Sequence, residues 1–260
     1  EGDTSRLSWG SGTGAARTAT LCGTVVHLAA VKTREKARRI AAHMMEVPVE
    51  DVSFDDGTFA AKGTNRTLSF GDVAKAAFNP KALPDDMEFG LFETAAWTSK
   101  APNIPNTFHV CELEIDPDTG VTEIKRYTAV HDVGVELNPM GVRGQAIGGI
   151  AQGLGQALLE EMVYDPESGQ VLSGSFMDYA MPKAKNFCRF EIASHPVPTK
   201  QNPLGVKGAG EGGTVGSLAA IMNAVNDALA PLGVRNLPMP ATPERVWRAI
   251  HDARTGAAAQ

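Results

Sequence analysis

Gly205-Val206-Lys207-Gly208-Ala209-Gly210-Glu211-Gly212-Gly213 runs directly into an apolar, helix-forming stretch from about Thr214 to Ala230. Five glycines in nine residues mark backbone that must take positive φ or come very close to another group, since glycine alone lacks the Cβ that opposes both. The helix that follows leaves its first N–H groups unpaired and carries a partial positive charge at that end. Its single carboxylate, Glu211, therefore sits in a field that favours the charged form. Two readings fit this stretch equally: a general base held beside a ligand, and an inert acidic residue at a helix start.

The chain around it has 260 residues, 43% of them hydrophobic and 21% charged. That is enough to bury one large core or two modest ones and is ordinary for a globular protein. A formal charge of -6 and a pI near 5.5 argue against a nucleic-acid partner. The densest basic run, Lys32 to Arg39, reads as a solvated helix side. Cys22, Cys111 and Cys188 are scattered without any Cys-x-x-Cys pair, which excludes a zinc site or an iron–sulfur cluster built by this chain. The histidines show no metal-ligand spacing, no apolar run reads as a bilayer span, and a reduced cytoplasmic setting is expected. The sequence opens at Glu1 in what reads as mid-domain sequence, as expected of a fragment, a processed product or one piece of a divided subunit.

A second Gly/Ser/Thr-rich loop, residues 2–20, leads into a long helix from about Arg17 to Met45. Loop-then-helix can grip an anion, and it can equally be a helix whose Ser and Thr satisfy its first N–H groups. Short strands follow from Val49 to Thr67, with Asp56-Gly57 as a hairpin turn. A short helix is expected over Leu68–Phe78 and a linker over Pro80–Asp86. Phe89–Trp97, Thr107–Ile115 and Val121–Val130 read as strands, the last two joined by Asp116-Pro117-Asp118-Thr119-Gly120. A helix from about Met140 to Glu161 contains six glycines, each costing about 0.5–1 kcal/mol relative to alanine. Close packing against another helix or a bound molecule must offset them. Strands and loops fill residues 162–204, Thr242–Ile250 reads as a terminal helix capped by Thr242, and the tail after Arg254 as disordered. The expected division is a first lobe over 1–86, a second over 87–254, and a tail over 255–260.

Simple motif readings fail in turn. Gly205-x-x-x-x-Gly210 is followed by Glu211 where a phosphate loop needs Lys. Gly208-x-Gly210-x-x-Gly213 fits a dinucleotide fingerprint, but Asn202-Pro203 stands where its strand should be. No Gly-x-Ser-x-Gly nucleophile elbow occurs.

In combination, five motifs in order resemble the molybdenum hydroxylases, the xanthine dehydrogenase and aldehyde oxidase family, in the version of carbon monoxide dehydrogenase-like large subunits. They are Gly2-Asp3-Thr4 with Gly12-Thr13-Gly14-Ala15-Ala16-Arg17-Thr18; His131-Asp132-Val133-Gly134 with Asn138-Pro139; Arg143-Gly144-Gln145; Gln152-Gly153-Leu154-Gly155; and Gly205 to Glu211. The resemblance implies a two-lobed α+β fold, the C-terminal part of a molybdopterin-binding domain. It implies a molybdenum–molybdopterin cofactor, in its cytosine dinucleotide form, with no direct protein ligand to the metal. Glu211 matches the catalytic glutamate, which takes a proton from the metal's hydroxyl as that oxygen attacks the substrate carbon. Gly14, Ala15, Ala16, Arg17 and Thr18 match the segment lying against the pterin, and Asp132, Asn138 and Gln145 match positions around the cofactor and its dinucleotide tail.

The family's upstream Gly-Gln-Gly segment and substrate-pocket loop do not occur in this sequence. The resemblance therefore implies dependence on the remaining part of the large subunit, and on iron–sulfur ([2Fe-2S]) and flavin (FAD) subunits to carry electrons away. The implied activity is hydroxylation of an aldehyde, N-heterocycle or similar small molecule, carbon monoxide included. A non-catalytic nucleotide- or phosphate-binding protein and a structural subunit are the alternatives.

Overall fold

The computed structural model describes residues 3–5 and 12–256. The chain forms two compact units, one over Leu21–Ser99 and one combining Glu1–Thr20 with Lys100–Gln260. The boundary expected near residue 86 thus falls at 99, and the first twenty residues group with the second unit. Sequence order could not show this, because the Gly12–Thr18 loop packs on residues nearly two hundred positions later, as described below. Residues 257–260 of the expected tail, and Gly2 of the Gly-Asp-Thr match, lie outside the described residues.

A π-helical turn over Thr18–Gly23 runs across the boundary at residue 20 into α1 (Thr24–Met45) of the Leu21–Ser99 unit. Strands β1 (Val52–Asp55), β2 (Thr58–Ala61) and β3 (Thr67–Ser69) form an antiparallel sheet. The β1–β2 turn is Asp56-Gly57, both at positive φ (40° and 74°), the geometry that matches the twist of a two-residue hairpin. Ser69 caps α2 (Phe70–Ala76) by accepting the N–H of Asp72 at 3.1 Å. Ala37, Ile40, Ala41, Phe59 and Val73 form the core. The strand expected over Phe89–Trp97 does not form. Phe89 and Phe92 instead set their rings edge-on against Phe78, and Lys32 takes the carbonyl of Thr94 at 2.7 Å. The apolar alternation there serves packing without a partner strand.

In the other unit, β4 (Asn106–Ile115) and β5 (Thr122–Asp132) form an antiparallel hairpin, and β6 (Phe190–Ser194) pairs in parallel with β5. A parallel pair needs a crossover, here through α3 (Pro139–Leu158). Helix α4 (Gly212–Leu229) packs on α3 and β4, and α5 (Pro243–Thr255) closes the unit, its Thr242 cap accepting the N–H of Arg245. Residues 162–189 hold one isolated bridge, Tyr164 to Val171, and no further strand. The core joins Tyr127 and Ala129 to Ile150, Leu154, Ile221, Val225, Leu229, Val246 and Ile250. Contrary to the sequence reading, Gly212–Leu232 is long and apolar enough to cross a membrane by length and composition. Its Ile221, Val225 and Leu229 are buried in this core instead.

Candidate functional site

Helix α4 starts two residues earlier than its sequence pattern predicts, at Gly212, and makes Glu211 its N-cap. The glycine pair read as loop is the helix's first turn, because close neighbours supply what helix propensity does not. The Glu211 carbonyl accepts the N–H groups of Thr214 and Val215, both at 3.1 Å. Its side chain makes no capping bond and no hydrogen bond or ion pair with the described residues, and the residue is exposed.

The approach to Glu211 is fixed by polar ties. Asn202 brackets Val206, its Oδ1 accepting the Val206 N–H at 3.2 Å and its Nδ2 donating to the Val206 carbonyl at 2.9 Å. The Lys207 N–H donates to the Val133 carbonyl at 2.8 Å, and the Lys207 ammonium pairs with Asp132 at 2.5 Å. The other oxygen of Asp132 accepts the N–H groups of Gly134 at 3.0 Å and Val197 at 2.9 Å. Burial pushes this carboxyl up, but the Lys207 ammonium, the two N–H donors and the Asn106 amide outweigh it and bring it down to about 2. Asp132, expected around the cofactor, is committed on both oxygens to this chain's own donors. Sequence could not reveal a partner 75 residues away.

The Gly12–Thr18 loop arrives at the same place. Arg17 closes it, Nη2 donating to the Gly12 carbonyl at 3.0 Å, and the Thr13 and Thr18 hydroxyls share a hydrogen bond at 2.5 Å. Ala15 and Ala16 both sit at φ 51°, in a region that costs a non-glycine residue roughly 1–3 kcal/mol and that concentrates at ligand sites. A Cβ on Gly208 would stand 2.5 Å from that of Ala16, and one on Gly210 3.4 Å from Nε2 of Gln145. Gly208 thus packs on Ala16 and Gly210 on Gln145, and Glu211 follows directly in the chain. Gly14 lies on the same loop, with nothing within 4 Å of where its Cβ would be.

Helix α3 has two unlike faces. Toward α4, a Cβ on Gly149 would meet the Thr214 nitrogen at 2.8 Å, and one on Gly153 would collide with the Ser217 hydroxyl. On Gly144 and Gly148 it would meet nothing within 4 Å. Gln145 lies on this open side and is exposed. Asn138, expected beside the cofactor, is the α3 cap and accepts the Gly141 N–H at 2.9 Å.

Three residues given no site role in the sequence reading underlie the site. Thr107 on β4 stands opposite His131 on β5, and both face Gly212, while the His109 ring lies against Gly216 one turn on. The His109 and His131 ring centroids are 5.4 Å apart, and His109 Nδ1 is 2.8 Å from the Tyr127 hydroxyl. Burial, then the neighbouring His131, pushes His109 down to about 4, and burial also lowers His131. Both rings are thus neutral near pH 7. The usable signal in the sequence was Thr107 and His109, two apart on one strand, matched by Gly212 and Gly216, four apart on one helix. Among the described residues no group of three or more His, Cys, Asp or Glu could hold a metal ion.

A family model described as the molybdopterin cofactor-binding domain matches residues 1–187. The chain is 38% identical to the nicotine 6-hydroxylase large subunit of Paenarthrobacter nicotinovorans, over 95% of this chain and 30% of that one. It is 35% identical to the carbon monoxide dehydrogenase large chain of Hydrogenophaga pseudoflava, over 97% of this chain and 31% of that one. The structure superposes on quinoline 2-oxidoreductase from Pseudomonas putida 86 with a TM-score of 0.84 and 36% identity, covering 94% of this chain and 31% of that one. The chain spans about three-tenths of the length of these relatives.

Proposed function

Because the chain belongs to the molybdopterin cofactor-binding family of the molybdenum hydroxylases, we propose that it supplies the general base and part of the cofactor cradle of an oxidoreductase. That enzyme would insert a water-derived oxygen at an electrophilic carbon of an aldehyde, an N-heterocycle or a similar small molecule, carbon monoxide included.

The residues fit such a group. Gly14, Gly144 and Gly148 have no atom of the described residues within 4 Å of where a Cβ would stand, although each helical glycine costs about 0.5–1 kcal/mol. Room for a bulky ligand accounts for them. Gly14, Ala15, Ala16, Arg17 and Thr18 would line it through a loop already held in shape by Arg17 and Thr18. The Gln145 amide can both donate to it and accept from it. Asn138 would contribute by capping the helix that presents Gln145, and Asp132 by holding Lys207 and, with it, the loop that reaches Gly208.

When bound, the molybdenum–molybdopterin group supplies the two-electron oxidation. Glu211 supplies a proton acceptor: its carboxylate has no partner among the described residues and stands at the N-terminus of α4, where the helix field favours negative charge. It would take the proton from the attacking water-derived oxygen, the protein meanwhile positioning the substrate carbon. The observation that carries this reading is the exposed Glu211 carboxylate, without a partner among the described residues, directly after the Gly208–Gly210 segment that packs on Ala16 and Gln145. The cytosine dinucleotide form of the cofactor, the remaining part of the large subunit, iron–sulfur and flavin partner subunits, a two-lobed division of labour and a cytoplasmic location complete the proposal.

Glu211→Gln in the assembled enzyme should lower turnover by about 10²–10⁴, with molybdenum and pterin content unchanged by elemental and fluorescence analysis. Nicotine, quinoline, an aromatic aldehyde and carbon monoxide form the substrate panel, with isotope-labelled water as the oxygen source. Near-normal turnover in the variant would remove Glu211 as the base.

A further inference from the structure

We infer that Glu211 is placed by a slot made of backbone and strand, in which Thr107 and His131 are positioning residues and Gly212 and Gly213 are the parts that fit. The inference rests on Glu211 being the base.

The first turn of α4 is held from two sides. On one side stand Thr107 and His131, directly opposed in the β4–β5 ladder. A Cβ on Gly212 would lie 2.7 Å from the Thr107 methyl and 3.5 Å from His131 Nδ1. On the other side is α3, where a Cβ on Gly213 would lie 2.5 Å from the Ala146 carbonyl oxygen and 3.0 Å from the Gly149 Cα. Neither wall yields easily. Threonine is branched at Cβ and stiff about χ1, its strand is fixed in a ten-pair register, and His131 is 3% exposed. The opposing wall is helix backbone. Gly216, one turn further, repeats the fit, a Cβ there lying 2.7 Å from the His109 ring.

Glu211 precedes this turn and has no side-chain tie of its own. Its carboxylate is located by where its Cα stands, and its Cα by how deeply Gly212 sits against Thr107. A methyl group on Gly212 needs that contact to open from 2.7 Å to the 3.4 Å of ordinary packing, a difference of 0.7 Å. Misplacement near 1 Å can cost about 10²-fold in rate.

The test is a double-mutant cycle in the assembled, cofactor-loaded enzyme, using the best substrate of the panel above. Gly212→Ala should lower kcat by about 10- to 100-fold with KM within about threefold. In a Thr107→Ser background, where the obstructing methyl is gone, the same Gly212→Ala change should cost less than about threefold. Because a loss of folding caused by the same clash would be relieved too, equal thermal melting of the single and double variants is required beside the kinetics. Crystal structures of both Gly212→Ala variants supply a second measure, Glu211 Cα being displaced in the single variant and restored in the double one. Equal losses in both backgrounds, or a Glu211 that stays in place in the single variant, overturn the inference. An active Glu211→Gln enzyme would instead overturn the base assignment beneath it, while the crystallographic comparison would still decide the slot.

Discussion

Two regions of the same unit reach their geometry by opposite means. Along the seam between α3 and α4, positions are set by missing side chains: Gly149, Gly153 and Gly213 bring two helix backbones together, and almost any addition collides. Along the rim, from the Gly12–Thr18 loop through Lys207 to Gln145, positions are set by hydrogen bonds and one buried ion pair. Helix α3 belongs to both, its inner glycines closed by α4 and its outer glycines open. Glycine in this helix thus has two causes, one internal to the chain and one outside it.

The comparison breaks most severely at the rim's ion pair. Asp132→Asn leaves the Lys207 ammonium, 12% exposed, without its counter-charge, and should destabilise the unit by about 2–3 kcal/mol in chemical denaturation. The sign with pH is definite. The carboxyl titrates at about 2 in the folded chain against an ordinary 3.8, so its stabilisation is complete above about pH 4 and is lost as pH falls through 2. The variant should lack that acid limb, and a limb of unchanged size would show that Asp132 is not its origin.

At the seam, Gly153→Val drives a branched side chain into Ser217 and the Thr214 carbonyl. A loss of about 1–3 kcal/mol is expected, read as a lower Tm. The smallest effect has the opposite sign. Gly148→Ala, on the open face, should raise fold stability by about 0.5–1 kcal/mol while reducing the molybdenum and pterin retained on purification. Unchanged cofactor content would mean that the outer glycines make no room for it.

Local chemistry was legible in the sequence and distant chemistry was not. The Thr242 cap, the Asp56-Gly57 turn and the β4–β5 hairpin follow from residues within a few positions of one another, and each formed as read. The α+β class and the family were legible because five motifs recur in order, whatever any one of them means alone. Phe89–Trp97 misled because alternation records which side chains are apolar and cannot supply a partner strand. The start of α4 was misplaced because a glycine pair reads as loop when the strand and helix enclosing it are unseen. Asp132 was matched to the cofactor's surroundings, but its commitment to Lys207 is a tertiary fact, as is the placement of Thr107 and His131 beneath Gly212.

The parallel pairing of β5 with β6 has a consequence for the order in which the chain assembles. The β4–β5 hairpin closes through six residues, Asp116 to Val121, whereas β6 must wait for α3 to form and cross over, and Lys207 must then find Asp132 from 75 positions away. Long closures come late in folding. The rim should therefore be the last part to form and the first to open, with amides at Lys207 and Gly134 exchanging ahead of those in β5. The same late closure makes the loop an entry point through which a large ligand could arrive on an already folded scaffold.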